Sequence, residues 1–171
     1  MMRSDFIVGP VDDFAIGARR RLEMGASSHA PRGTIDRAVL QGIEQRLQTA
    51  PHIGQTALGP QRGTLTLVAD FDLAYFPAGV ERVYYDIRWY TSDDFSIHYQ
   101  ELWTDGEWKR RWDRHQYDPP QLEEHLHPPP DAGTPPEPTS YPPHHFDVLS
   151  QVEAATFDHI RNHPRQTNTS S

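Results

Sequence analysis

Phe95-Ser96-Ile97-His98-Tyr99-Gln100-Glu101-Leu102-Trp103-Thr104-Asp105-Gly106-Glu107-Trp108-Lys109-Arg110-Arg111-Trp112-Asp113-Arg114 reads as two β-strands joined by a tight turn. Large apolar residues recur at every second position on both sides of the turn, the period of a strand with one covered face. Asp-Gly between two such runs signals a two-residue hairpin loop. With Asp105 and Gly106 as that loop, Trp103 lies opposite Trp108, Glu101 opposite Arg110 and Tyr99 opposite Trp112 on an aromatic face. The other face then pairs Leu102 with Lys109, Gln100 with Arg111 and His98 with Asp113, bringing an imidazole, a guanidinium and a carboxylate together.

Outward from the hairpin, Val83, Tyr85, Ile87 and Trp89 alternate with polar residues after the turn at Pro77 to Gly79, and Leu65 to Phe71 alternates likewise. Before them, Ile35, Val39, Ile43 and Leu47 recur every fourth residue, so a helix capped by Thr34 or Asp36 is expected to run to about Thr49. Pro51, Gly54, Gly59, Pro60 and Gly63 read as a connection. After His115 the chain holds ten Pro in the 27 residues 117–143, which predicts an extended, semi-rigid loop. Phe146, Leu149, Val152, Thr156 and Ile160 mark a last helix, with Asp147 suited to its N-terminus. The expected fold class is α+β: a four-stranded antiparallel meander with an N-terminal and a C-terminal helix on one face and a long Pro-rich loop before the last helix. The expected organisation is a loosely attached extension over 1–33, with a short helix around Phe14 to Leu22, one domain over 34–162 and a flexible tail over 163–171.

Composition narrows the functional classes. The 171 residues suit one core, and four Trp, seven Tyr and seven Phe can build it although only 36% of the chain is hydrophobic. There is no Cys, which excludes disulfides and thiolate chemistry. No run approaches the ~18 apolar residues of a spanning helix, so a cytoplasmic location without membrane contact is expected. The net charge is −8, and residues 117–171 hold eight acids against two Arg. By contrast residues 107–116 hold four Lys/Arg against two acids, so Lys109, Arg110 and Arg114 are the expected contacts to RNA.

Several residues could carry chemistry. His125-Leu126-His127 puts two imidazoles on one side of an extended segment, and with Asp113 they could form a two-His, one-carboxylate metal site. Solvated histidines in a Pro-rich loop are the plain alternative. A His near Arg and a carboxylate can also do acid and base work on RNA, with Arg neutralising the phosphorane and no metal needed. Cross-strand pairing of His98, Arg111 and Asp113 could equally be an ordinary solvated sheet face. Tyr99, Trp103, Trp108 and Trp112 could stack bases, but as the largest apolar groups available they read better as core.

Taken together, Ser96-Ile97-His98-Tyr99-Gln100, a two-residue turn, Arg110-Arg111-Trp112-Asp113, and His125-Leu126-His127 followed by a helix resemble the core of the TumE-type toxins. The resemblance extends over 34–162 in element order and is specific over 95–127. Arg114-His115-Gln116-Tyr117 departs from that family's usual polar residue and pair of His, so no role is carried over to His115. The resemblance implies a small α+β toxin of a type II toxin-antitoxin pair, its partner a helix-turn-helix antitoxin, with a homodimer as a further arrangement. Together with the derived pairing of His98 and Asp113, it makes RNA the expected target and His98, Arg111, Asp113, His125 and His127 the expected catalytic set, with no cofactor. A non-catalytic protein that blocks its target and a small metal-dependent hydrolase are the competing expectations.

Overall fold

Strand β4, Phe95–Trp103, alternates strictly between buried and half-buried side chains, so one face of the hairpin is core and the other is not. The computed structural model describes residues 30–164; the short helix around Phe14 to Leu22 and the tail beyond Pro164 lie outside the described residues. Within that span the sheet has seven strands rather than four: β1 Ile53–Gln61, β2 Thr64–Phe71, β3 Val80–Trp89, β4, β5 Gly106–Arg114, β6 Glu124–His127 and β7 Glu137–Pro138. They are neighbours in chain order and antiparallel throughout, an extended meander. Helices α1, Arg37–Gln48, and α2, His145–Arg161, complete the α+β fold.

The three added strands extend the sheet at its two ends, with β1 and β7 as its edges. Strand β1 contains Gly54, Gly59 and Pro60, which signal a break, yet it pairs with β2 on one side only and a proline's missing N–H is harmless on an edge. The expected Pro-rich loop likewise carries β6 and the two-residue β7, where Pro138 again sits on an edge.

The hairpin register differs from expectation by two residues. The loop is Thr104-Asp105, with Trp103 opposite Gly106, so Glu101 faces Trp108, Tyr99 faces Arg110, His98 faces Arg111 and Ser96 faces Asp113. Sliding the loop by one residue moves each partner by two, and because side chains alternate with period two, every residue keeps its face. His98 and Asp113 therefore share a face but are diagonal, not opposite.

Both helices cover the aromatic face. Asp36 caps α1 by accepting from the Val39 amide, and Leu40, Ile43 and Leu47 turn into the core. Helix α2 contributes Val148, Leu149, Val152 and Ile160, and its buried Thr156 accepts the Tyr85 hydroxyl at 2.8 Å. Tyr85, Trp89, Phe95, Tyr99, Trp103 and Trp112 are all buried here, which makes the aromatic stripe core rather than a base-stacking platform. Arg32, within the expected loose extension, is tied to the chain by hydrogen bonds to both oxygens of buried Asp94.

Candidate functional site

The uncovered face of the sheet is concave and forms a groove of about 680 Å³ across β1 to β5. Alternation along β3, β4 and β5 sends Tyr84, Asp86 and Arg88, then Ser96, His98 and Gln100, then Lys109 and Arg111 into it. With Arg62 from the β1–β2 turn and Arg82 from the start of β3, five cationic side chains line it against two carboxylates, Asp70 and Asp86. In a chain of net charge −8 this is a local surplus of cations, three within the lining and one once Glu107 and Asp113, the ion-pair partners of Lys109 and Arg111, are counted; such a surplus suits the groove to a polyanion.

His98 sits on the groove floor. Its Nδ1 lies 3.2 Å from the Gln100 amide nitrogen, while its Nε2 is buried with no hydrogen-bond partner. Burial first, then the charge of Arg111, lowers its pKa to about 4, so the ring is neutral at pH 7. Asp86, its cross-strand neighbour on β3, is held above the usual carboxylate range by burial, against the pull of Arg88.

Behind Arg111, at the β5–β6 end of the sheet, lies a second group. Asp113 is opposite His125 and Arg111 opposite His127. Asp113, His125 and His127 are 1%, 0% and 5% exposed, covered by the segment between β5 and β6, whose Tyr117 ring packs on His125 with centroids 4.9 Å apart. Arg111 donates from Nε to Asp113 Oδ2 at 2.6 Å and from Nη2 to His127 Nε2 at 2.6 Å. Burial pushes the Asp113 carboxyl up, but the charge of Arg111 and the hydrogen bonds the carboxylate accepts outweigh it and hold the pKa at about 2.

The structure thus brings together His98 and Arg111 in the groove, and Asp113, His125 and His127 just beyond it. Of the three residues expected to contact RNA, Lys109 lines the groove beside its ion-pair partner Glu107. Arg110 points to the opposite face, its guanidinium over Trp108 and Trp112, and Arg114 is bound to Glu124 and to the Tyr141 and Pro142 carbonyls. His115 is buried, its ring against His125. Sequence reasoning missed Arg62, Arg82 and Arg88; the alternation of β3 gave the signal for Arg88, whereas Arg62 depends on the unexpected β1–β2 turn.

On the helix-covered face a third cluster joins Glu101, His159 and His163. Buried Glu101 accepts from the Tyr99 hydroxyl at 2.7 Å and His159 Nε2 at 2.7 Å on one oxygen, and from Trp103 Nε1 and His163 Nε2, both at 2.9 Å, on the other. Burial pushes this carboxyl up too, yet the bonds from His159, His163 and Tyr99 outweigh it and bring the pKa to about 2.

Fold and groove together define a small α+β protein with a seven-stranded meander, two helices on one face and a cationic concavity on the other. Residues 35–163 match the family described as toxin TumE, and the chain belongs to the TumE toxin family. Membership assigns it a toxin's role and, with it, an antitoxin as partner. Nothing matches it among curated proteins or among solved structures. No helix among the described residues is long and apolar enough to cross a membrane.

Proposed function

We propose that this TumE-family toxin acts on RNA bound along the groove, as one half of a type II pair whose antitoxin carries a helix-turn-helix. The observation that carries the reading is the cationic groove with the partnerless Nε2 of His98 at its floor. Arg88, Lys109 and Arg111 hold backbone phosphates. Arg111 is aimed by Asp113, whose carboxylate fixes its Nε while Nη2 rests on His127. A neutral His98 serves as base once the Gln100 amide turns its oxygen toward Nδ1, which moves the ring proton there and frees the Nε2 lone pair. The ribose 2′-oxygen then loses its proton to Nε2 and attacks phosphorus, the bond to the 5′-oxygen breaks, that oxygen takes a proton from water, and the hydroxide so formed takes the proton from His98, which is neutral again. Arg111 beside the phosphorane offsets its added charge.

Controlled expression of the wild type and of His98→Ala, following growth and total RNA integrity, tests this. Growth arrest with RNA cleavage that His98→Ala abolishes in a folded protein is the expected result. Arrest with intact RNA, insensitive to that change, would replace the reading by non-catalytic blocking of the target.

A further inference from the structure

We propose that Asp113, His125 and His127 form a binding site for a divalent cation of the zinc class. This inference stands apart from the RNA reading, because it rests on where the ring protons must be. His125 Nδ1 lies 2.5 Å from the Leu122 carbonyl and His127 Nδ1 lies 3.0 Å from the Gly133 carbonyl. A carbonyl only accepts, so each Nδ1 carries the proton and a neutral ring presents its Nε2 lone pair. For His127 the assignment is independently fixed, since Arg111 Nη2 at 2.6 Å can only donate and Nε2 must accept. Both Nε2 atoms lie 3.4 Å from Asp113 Oδ2, the His127 lone pair accepting from Arg111 and the His125 lone pair left without a donor. A lone pair facing a carboxylate is repulsive unless a cation lies between them, and His125 Nε2 is wholly buried with no donor.

The spacing supports a metal. Ligand bonds of about 2.0–2.2 Å to a tetrahedral zinc place neighbouring ligand atoms ~3.3–3.5 Å apart. The two 3.4 Å separations match that edge, whereas they are long for hydrogen bonds. Metal-ligating histidines characteristically give their other N–H to a carbonyl, as both do here. Arg111 bonds both Asp113 Oδ2 and His127 Nε2, so an ion held by these atoms would take the place of those two hydrogen bonds. The competing arrangement places a second proton on His125, which would then point at Asp113 Oδ2 across 3.4 Å.

The test uses the full chain stripped with a chelator and titrated with zinc, then with cobalt to report geometry by visible absorption. One zinc per chain and a tetrahedral cobalt spectrum are expected. His125→Ala and His127→Ala should weaken zinc by more than the ~10- to 100-fold that loss of a mere supporting partner costs, and His159→Ala with His163→Ala should leave it unchanged. Should the His125 and His127 variants not fold, histidine nitrogen resonances of the wild type decide: zinc must shift the Nε2 signals of His125 and His127. No zinc uptake, uptake insensitive to both variants, or a metal-free His125 carrying two ring protons that zinc does not displace would overturn the proposal.

Discussion

On each face of the hairpin β4–β5 one carboxylate meets two imidazoles, from the end of α2 on one face and from β6 on the other, and the two clusters are built to opposite rules. Around Glu101 every neighbouring polar group is a donor: a phenol, an indole and two Nε2–H groups at 2.7–2.9 Å. Around Asp113 the imidazoles have spent their N–H groups on backbone carbonyls and set Nε2 at 3.4 Å from the carboxylate, that of His127 accepting from Arg111 and that of His125 without a donor. The same residue types thus make a closed hydrogen-bond clamp on one face and a set of convergent ligands on the other. Proton placement, rather than composition, separates a structural cluster from a site.

The sharpest way to break the comparison is to remove each carboxylate. Glu101→Ala leaves four buried donors unpaired and uncouples the end of α2 from β4. We expect about 3–5 kcal/mol of lost stability, read from urea unfolding, with no recovery on adding zinc. Acid should reveal the same clamp. Glu101 has its pKa lowered from 4.5 to about 2, so its contribution is complete above pH 4.5 and is lost as pH falls toward 2. That window should cost about 3 kcal/mol, and Glu101→Gln should flatten it.

The groove and the helix face differ in a gentler way. Arg88→Ala should reduce the salt slope of single-stranded RNA binding by about 0.7, the share of a single phosphate neutralised by one cation. Its unfolding midpoint should change little, Arg88 being only half-buried. Arg110→Ala, on the aromatic side, should leave RNA affinity unchanged and cost roughly 0.5–1 kcal/mol of stability, because no guanidinium then rests over the Trp108 and Trp112 rings.

The alternation of β2 to β5 and the spacing of both helices were legible in the sequence because each is a strong periodic signal with one covered face. The face of every hairpin residue was legible too, since a shift of two in register conserves it, although the expected His98–Asp113 pairing was not. Strands β1 and β7 were hidden because proline and glycine are tolerated on sheet edges, and β6 because it is only four residues long and is held by pairing on both sides. His125-Leu126-His127 as an extended pair was readable, but the burial of its rings depends on chain segments on either side folding over it. The Glu101 clamp escaped notice since His159 and His163 belong to a helix end, and only the tertiary fold brings them to β4. Likewise Arg110 and Arg114 belong to a basic run whose alternate members point to opposite faces, which a count of charges does not resolve.

The central claim is that the groove acts on RNA through His98. Incubating purified protein with an end-labelled single-stranded RNA, in parallel with folded His98→Ala, tests it most directly. The account predicts cleavage leaving a 2′,3′-cyclic phosphate by the wild type, with the rate reduced about 100-fold or more in the variant while binding persists. Equal cleavage by both proteins, or RNA bound by the wild type and never cut, would contradict it.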